Sequence, residues 1–318
     1  MKVGIFLSTT GRGEKQGVML DFAKGIEKHS KDRVLITSRD KYVDCDIALI
    51  FGYFGINRGV TQNFRKQIYD THKARGKHCI FVEADPLKYA GKIIADTSAS
   101  PVMYFKLPYK SVYYNKSEFF NKESKPDRWR EICKRKRVEV LPYRESGDHI
   151  LICMNRGIGD NSRSWSTKGV DINPWLFEKI KEIRSVTDRK IVVRFHPMFK
   201  KSSMSTKIPQ KVLKSTNNIS VSGLKGGNSL VDDCVNAHAA VVYNTSACVI
   251  PLIRGIPVFS DQDDCMAYPI ANKNIKKFIE SPKIIDREQW FYDLGYSLWC
   301  RKDMRDGTFW RRFKKFVK

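Results

Sequence analysis

The chain has 318 residues, 42% hydrophobic and 29% charged, with 58 Lys+Arg against 34 Asp+Glu and a formal net charge of +24. That length suits two domains, each with its own core, and the composition excludes a disordered tail. The longest nearly apolar stretch, Ile47 to Ile56, is about half the ~20 residues of a membrane-spanning helix, so no span is expected. Met1 to Leu7 carries one positive charge and no small-residue cleavage site, unlike a secretory leader. Eight scattered cysteines without a CxxC pair predict free thiols, a cytoplasmic setting and no structural zinc. The positive excess predicts a polyanionic partner. It is spread evenly, with 29 basic against 18 acidic groups in residues 1–150 and 29 against 16 in residues 151–318. Such a partner should therefore touch both halves.

Residues 2–8 read as a buried strand, followed by Thr9-Thr10-Gly11-Arg12-Gly13 and a helical pattern over about 17–28 with Val18, Phe22 and Ile26 on one face. Strands are predicted at 34–37, 47–51 and 78–82, with a polar helix over about 61–75 between the last two. A second series begins at His149. It comprises a strand over 150–154, a helix from Asn173-Pro174 to about Val186, strands at 191–195 and 219–222, and a helix near 229–236. A strand over 239–243, a helix from Thr245 and a strand over 256–259 follow. Alternation of this kind means βαβ units and parallel sheets. The expected fold is α/β with two Rossmann-like domains, 1–145 and 146–318, joined by the polar stretch around 134–148. Residues 286–318 read as terminal helices that return to the first domain. Trp310, Phe313 and Phe316 give the last of these an apolar face, for docking on a domain or, alternatively, for lying on a membrane surface.

The chemistry gathers after the strands of the second domain. Asn244-Thr245-Ser246, before the small Ala247, can cap a helix whose free N–H groups attract a phosphate, and an ordinary capped helix would read the same. Arg194 and His196 lie at the carboxyl end of a strand and share a face, where open α/β sheets bind ligands. The plain alternative is an ion-paired guanidinium beside a satisfied histidine. Arg156-Gly157-Ile158-Gly159 holds the same position after another strand, with an arginine able to reach a diphosphate. Asp261, in Asp261-Gln262-Asp263-Asp264, suits ribose or sugar hydroxyls, or a solvated loop; no residue is assigned to a metal. In the first domain, Glu83 and Asp85 follow an apolar strand and suit a general base, with Glu14 behind them; Asp85-Pro86 could equally open a turn. Residues 104–144 interleave nine aromatics with twelve basic and five acidic groups, a composition fit for nucleic-acid binding or for rings buried under a loop.

Taken together, these residues resemble glycosyltransferases of the GT-B architecture, two Rossmann-like domains facing a cleft. Within that class the chain is similar to phage-encoded enzymes that attach sugars to 5-hydroxymethylcytosine in DNA, in the arabinosyl-transferring branch. The likeness lies in Ile-Leu-Ile-Cys-Met-Asn-Arg from Ile150, Ser166-Thr167-Lys168-Gly169, Arg-Phe-His-Pro from Arg194, and Tyr-Asn-Thr-Ser-Ala with Arg-Gly-Ile-Pro-Val-Phe. It continues through Arg287-Glu288-Gln289-Trp290 and the tail. The resemblance implies a UDP-sugar donor, UDP-arabinose first and UDP-glucose next, with no tightly bound cofactor and metal dependence open. It places Asn244, Thr245, Ser246, Arg194, His196 and Arg156 on the diphosphate and Asp261 on ribose or sugar. The first domain would hold double-stranded DNA with the modified base flipped out. Inversion of configuration would make Asp85 or Glu83 the base; retention would not. A monomer in the host cytoplasm is expected. Two rivals stand beside this reading, a transferase acting on an anionic surface polysaccharide and a non-catalytic nucleic-acid binder on the same scaffold.

Overall fold

The computed structural model describes the chain apart from residues 11–12, 53–58, 94–99, 112–116, 120, 156–171, 197–210, 215, 224–228 and 318, and apart from the side chains of residues 14, 59 and 62. It divides into two compact units, Met1–Val138 together with Glu288–Lys318, and Glu139–Arg287. The boundary thus lies at Val138/Glu139, ahead of the expected 145/146, and the terminal helices belong with the first unit.

The first unit begins with β1 (Lys2–Phe6), α1 (Gly13–His29), β2 (Arg33–Thr37), β3 (Ile47–Phe51), α2 (Gly59–Ala74) and β4 (His78–Val82). These strands form a parallel sheet in the order β2-β1-β3-β4. The runs Ile-Ala-Leu-Ile-Phe of β3 and His-Cys-Ile-Phe-Val of β4 are buried almost throughout; β3 is central, and β4, at the end of the order, is covered by the bridges of Ile80 to Tyr109 and Glu83 to Lys106. Strand β1 stops at Phe6 because Thr9 and Thr10 donate their hydroxyls to Phe6 O (2.6 Å) and Leu7 O (2.9 Å), closing a 3₁₀ turn. The short β5 (Tyr104–Lys106) and α3 (Asp127–Lys136) follow.

The second unit contains β6 (His149–Cys153), α4 (Asn173–Arg184), β7 (Lys190–Arg194), β8 (Ile219–Ser222), α5 (Leu230–Asp233), β9 (Ala237–Val242), α6 (Val249–Ile253), β10 (Val258–Phe259) and α7 (Ile275–Phe278). Its five strands are parallel in the order β10-β9-β6-β7-β8. Ile150, Ile152, Ile191, Val193 and Val241 meet Leu176, Ile180 and Ile183 of α4 in one core. Pro251 sits early in α6, just after a 3₁₀ turn over Ser246–Cys248, so it costs no interior helical bond.

The chain then re-enters the first unit through α8 (Glu288–Ser297), β11 (Leu298–Cys300), α9 (Arg301–Arg305) and α10 (Thr308–Lys314). Strand β11 pairs antiparallel with β5. Trp310 and Phe313 are buried, with ring centroids 5.9 Å from Phe22 and 5.0 Å from Tyr109 respectively. Asp32 accepts from Trp310 Nε1 at 2.9 Å and pairs with Lys314 at 2.8 Å. Burial opposes its charge, but these hydrogen bonds win and hold its carboxyl well below the usual range. The final helix is therefore docked by Trp310 and Phe313, with Arg311 exposed and Phe316, the third ring of the expected face, 51% exposed. Among the described residues, no helix is long and apolar enough to cross a membrane.

The aromatic segment is corrected. Tyr104, Phe105, Tyr109, Phe119 and Trp129 are buried and cannot stack on bases, because β5, α3 and the returning α8–β11 segment enclose them. Tyr113, Tyr114 and Phe120 lie outside the described residues.

Candidate functional site

In the second unit, the parallel register aligns the carboxyl ends of three neighbouring strands, pairing Cys153 with Arg194 on one side and Val242 on the other. Two residues further along each strand stand Asn155, His196 and Asn244. These three positions follow neighbouring strands about 4.8 Å apart, so ideal spacing would set them in a polar row, and Asn155 and Asn244 are in contact. Asn155 is buried and its Nδ2 donates to Asn244 Oδ1, which fixes the Asn244 amide. Met154 N donates to Arg194 O at 2.9 Å, extending the ladder to the base of the row. Thr245 then caps the following turn, its Oγ1 accepting from Ala247 N at 3.2 Å, while Ser246 is exposed.

Arg194 does not point to a phosphate. Its Nη1 pairs with the buried carboxylate of Asp233, which also accepts from Ser222 Oγ at 2.6–2.7 Å, tying β7, β8 and α5 together. The plain alternative weighed for this guanidinium is what the fold contains, with a buried carboxylate in place of a surface one. Gly223 is required beside it. At φ +78° a Cβ there would lie 2.2 Å from Phe195 O and 2.7 Å from Arg194 Cγ. Asp261 pairs with Lys179 at 3.0 Å; burial raises its carboxyl, but the hydrogen bonds from Gln262 and Lys179 leave it below the ordinary value. Together with Trp175, Ser260, Lys273 and Ile275, these two residues line a narrow cleft beside the ends of β9 and β10. Arg156 lies outside the described residues.

In the first unit, Glu83 follows β4 and bridges Lys106 through the backbone, with N–H···O distances of 2.8 and 3.1 Å. It is buried, and its Oε1 has no hydrogen-bond partner among the described residues. Burial pushes its carboxyl above the usual range; Lys106 and Arg65 pull it back only in part. Arg65 is itself anchored, donating Nε to Thr9 O at 2.8 Å and packing its guanidinium over Gly52, whose φ is +72°. Asp85 behaves differently. It is buried against the equally buried Lys136 at 2.9 Å, and also accepts from Leu87 N (2.8 Å) and Tyr104 N (3.3 Å). Both of its oxygens are committed, so the base expected there is in fact a structural ion pair. Glu14 falls in the first turn of α1 and not in a loop.

No protein-family model and no curated protein matches the sequence. Among solved structures, the chain is similar to KpsC beta Kdo 2,4 transferase of Thermosulfurimonas dismutans, with a TM-score of 0.54 and 12% identity over 92% of this chain and 89% of that one. The KpsC beta Kdo 2,7 transferase of the same organism aligns over 99% and 98%, with a TM-score of 0.48 and 12% identity. The likeness is one of fold. The chain is built as GT-B glycosyltransferases are.

Within this GT-B fold, several residues at the two edges escaped the sequence reading. Asn155 could have been found, because it stands two residues past its strand as His196 and Asn244 do past theirs. Trp175, whose Nε1 is buried without a hydrogen-bond partner among the described residues, and Lys179 come from the face of α4 and carry no local signal. Arg65 and Lys106 reach Glu83 from elements distant in sequence.

Proposed function

We propose that this chain is a nucleotide-sugar-dependent glycosyltransferase that moves a sugar, arabinose or glucose, from a UDP-sugar to the hydroxymethyl group of 5-hydroxymethylcytosine in DNA. The observation that carries the donor half is the in-register row of Asn244, Asn155 and His196 beside the Thr245-capped turn. That row offers amide, imidazole and exposed hydroxyl groups to a diphosphate at the edge where open α/β sheets bind ligands. Lys179 and Asp261 take the ribose or sugar hydroxyls. The acceptor half is supported by the +24 charge, shared between both halves of the sequence.

Glu83 supplies the base. Its orphaned oxygen and its carboxyl, raised by burial, suit a group that takes up a proton. In an inverting displacement, the acceptor hydroxyl oxygen bonds to the anomeric carbon as the bond from that carbon to the diphosphate oxygen breaks. The hydroxyl proton passes to the Glu83 carboxylate, and UDP leaves with its negative charge met by the polar row.

The test is incubation with 5-hydroxymethylcytosine DNA and UDP-arabinose or UDP-glucose, followed by mass spectrometry of the nucleosides. A mass gain equal to one sugar on the modified base is expected. UDP binding with no modified DNA, but with sugar incorporated into an anionic polysaccharide, would move the acceptor to that class. DNA binding without any nucleotide-sugar binding would make the chain a non-catalytic binder.

A further inference from the structure

A cationic cavity also lies in the first unit. A cavity of about 650 Å³ is lined by Lys28, Arg135, Arg301, Lys302 and Arg305, with Asp306 as the one carboxylate on its wall among the described residues. A volume of this size is ordinary for a ligand site, but its lining is not. Counting Asp21 and Glu131, which pair with the arginines from behind, five cations meet three carboxylates and leave two positive charges uncompensated.

The arrangement of the arginines is specific. Asp21 of α1 is buried, and its two oxygens accept from Arg301 Nε at 2.6 Å, Arg305 Nε at 2.8 Å and Arg305 Nη2 at 3.0 Å. One buried carboxylate thus holds two guanidiniums by their inner nitrogens. Both Nη atoms of Arg301 and Nη1 of Arg305 are left outside these bonds. The two residues stand one helical turn apart, about 6 Å along α9, so two anionic groups can be met side by side. Asp306 competes little, since its Oδ1 accepts from Thr308 N at 3.0 Å and Thr308 Oγ1 at 2.6 Å. The ammonium groups of Lys28 and Lys302 are exposed and have no hydrogen-bond or ion-pair partner among the described residues. Guanidiniums pinned in plane are suited to phosphate oxygens, and free lysines add point charge.

We infer that this cavity is a phosphate-binding site that takes the phosphodiester backbone of the DNA acceptor. The inference rests on the acceptor half of the proposed function and adds to it a contact surface. Tying α9 to α1 is the structural role of Arg301 and Arg305; the two unpaired lysines have no such role, which makes them the informative positions.

The experiment measures binding of duplex DNA containing 5-hydroxymethylcytosine across a salt series, for the full chain and for the Lys28→Ala/Lys302→Ala double variant. UDP binding by thermal shift is followed in both proteins. Loss of two phosphate contacts should flatten the slope of log K against log salt by about 2, at roughly 0.9 per contact, with the UDP-induced shift unchanged. Equal slopes and affinities, with DNA still bound, overturn the cavity assignment and leave the acceptor reading standing. No DNA binding by the unaltered chain overturns both. Inorganic diphosphate should displace DNA better than a carboxylate polymer such as a polyuronate; equal displacement overturns the choice of phosphate.

Discussion

The carboxyl edges of the two sheets are built from different chemistry. The first presents a buried carboxyl with an orphaned oxygen, flanked by Arg65 and Lys106. The second presents a row of neutral amide and imidazole side chains, with its guanidinium withdrawn into an ion pair behind them. A buried titratable group is suited to moving a proton, and fixed dipoles are suited to receiving charge on a leaving group. The contrast recurs within two residues of one strand end. Glu83 and Asp85 are both buried and burial pushes both carboxyls up, yet both oxygens of Asp85 accept hydrogen bonds, from Lys136 and two backbone N–H groups, while Glu83 Oε1 accepts none among the described residues.

The largest expected effect breaks the first edge. Glu83→Gln should lower turnover by about 10²–10⁴-fold in a sugar-transfer assay while the protein still folds. In the unaltered chain kcat/KM should climb as pH rises through the elevated Glu83 value, since the base works deprotonated; the variant's residual rate should be flat there. Stability runs the other way. A carboxyl whose folded value is raised adds stability that is full below its ordinary value of 4.5 and lost as pH rises through the folded value. Denaturant titration at several pH values should therefore find that Glu83→Gln loses less stability than the unaltered chain between acid and alkaline conditions.

Next in size, Asp85→Ala strands the buried Lys136 and should destabilise the fold by about 3–5 kcal/mol in denaturant unfolding. A milder loss, comparable to that of Glu83→Gln in stability, would put Asp85 back among the candidate bases. At the second edge, Asn155→Ala frees the Asn244 amide and should weaken UDP binding severalfold by thermal shift, at about 1–3 kcal/mol of stability. The smallest effect belongs to Asp261→Asn. Its pair with Lys179 is partly exposed, so stability should change by less than about 1 kcal/mol, and only donor affinity should report the change.

Much of this was legible along the chain. Apolar runs such as Ile47 to Phe51 and Ile150 to Cys153 announce covered parallel strands, and their spacing by helices gives both sheets. The polar residues past β7 and β9 were found because the position after a parallel strand carries its own meaning. Partnership was not legible. Nothing near Asp85 reveals that Lys136, 51 residues on, will close on it, and nothing near Arg194 reveals Asp233. The same holds for Tyr104 and Phe105. Their composition left base-stacking and buried rings both open, because the strand that covers them, β11, is three residues long and lies nearly two hundred positions away.

That covering strand has a consequence for how the chain is made. Trp299, Met304, Phe309, Trp310 and Phe313 complete the core begun by Val3, Ile5 and Phe22. The first unit is thus completed only by residues that follow the whole of the second. The middle unit, Glu139–Arg287, owns all its strands before the ribosome reaches the tail, whereas the opening sheet waits with an unfilled flank. A chain cut short before Leu298 would emerge with a sound centre and a leading portion that cannot close.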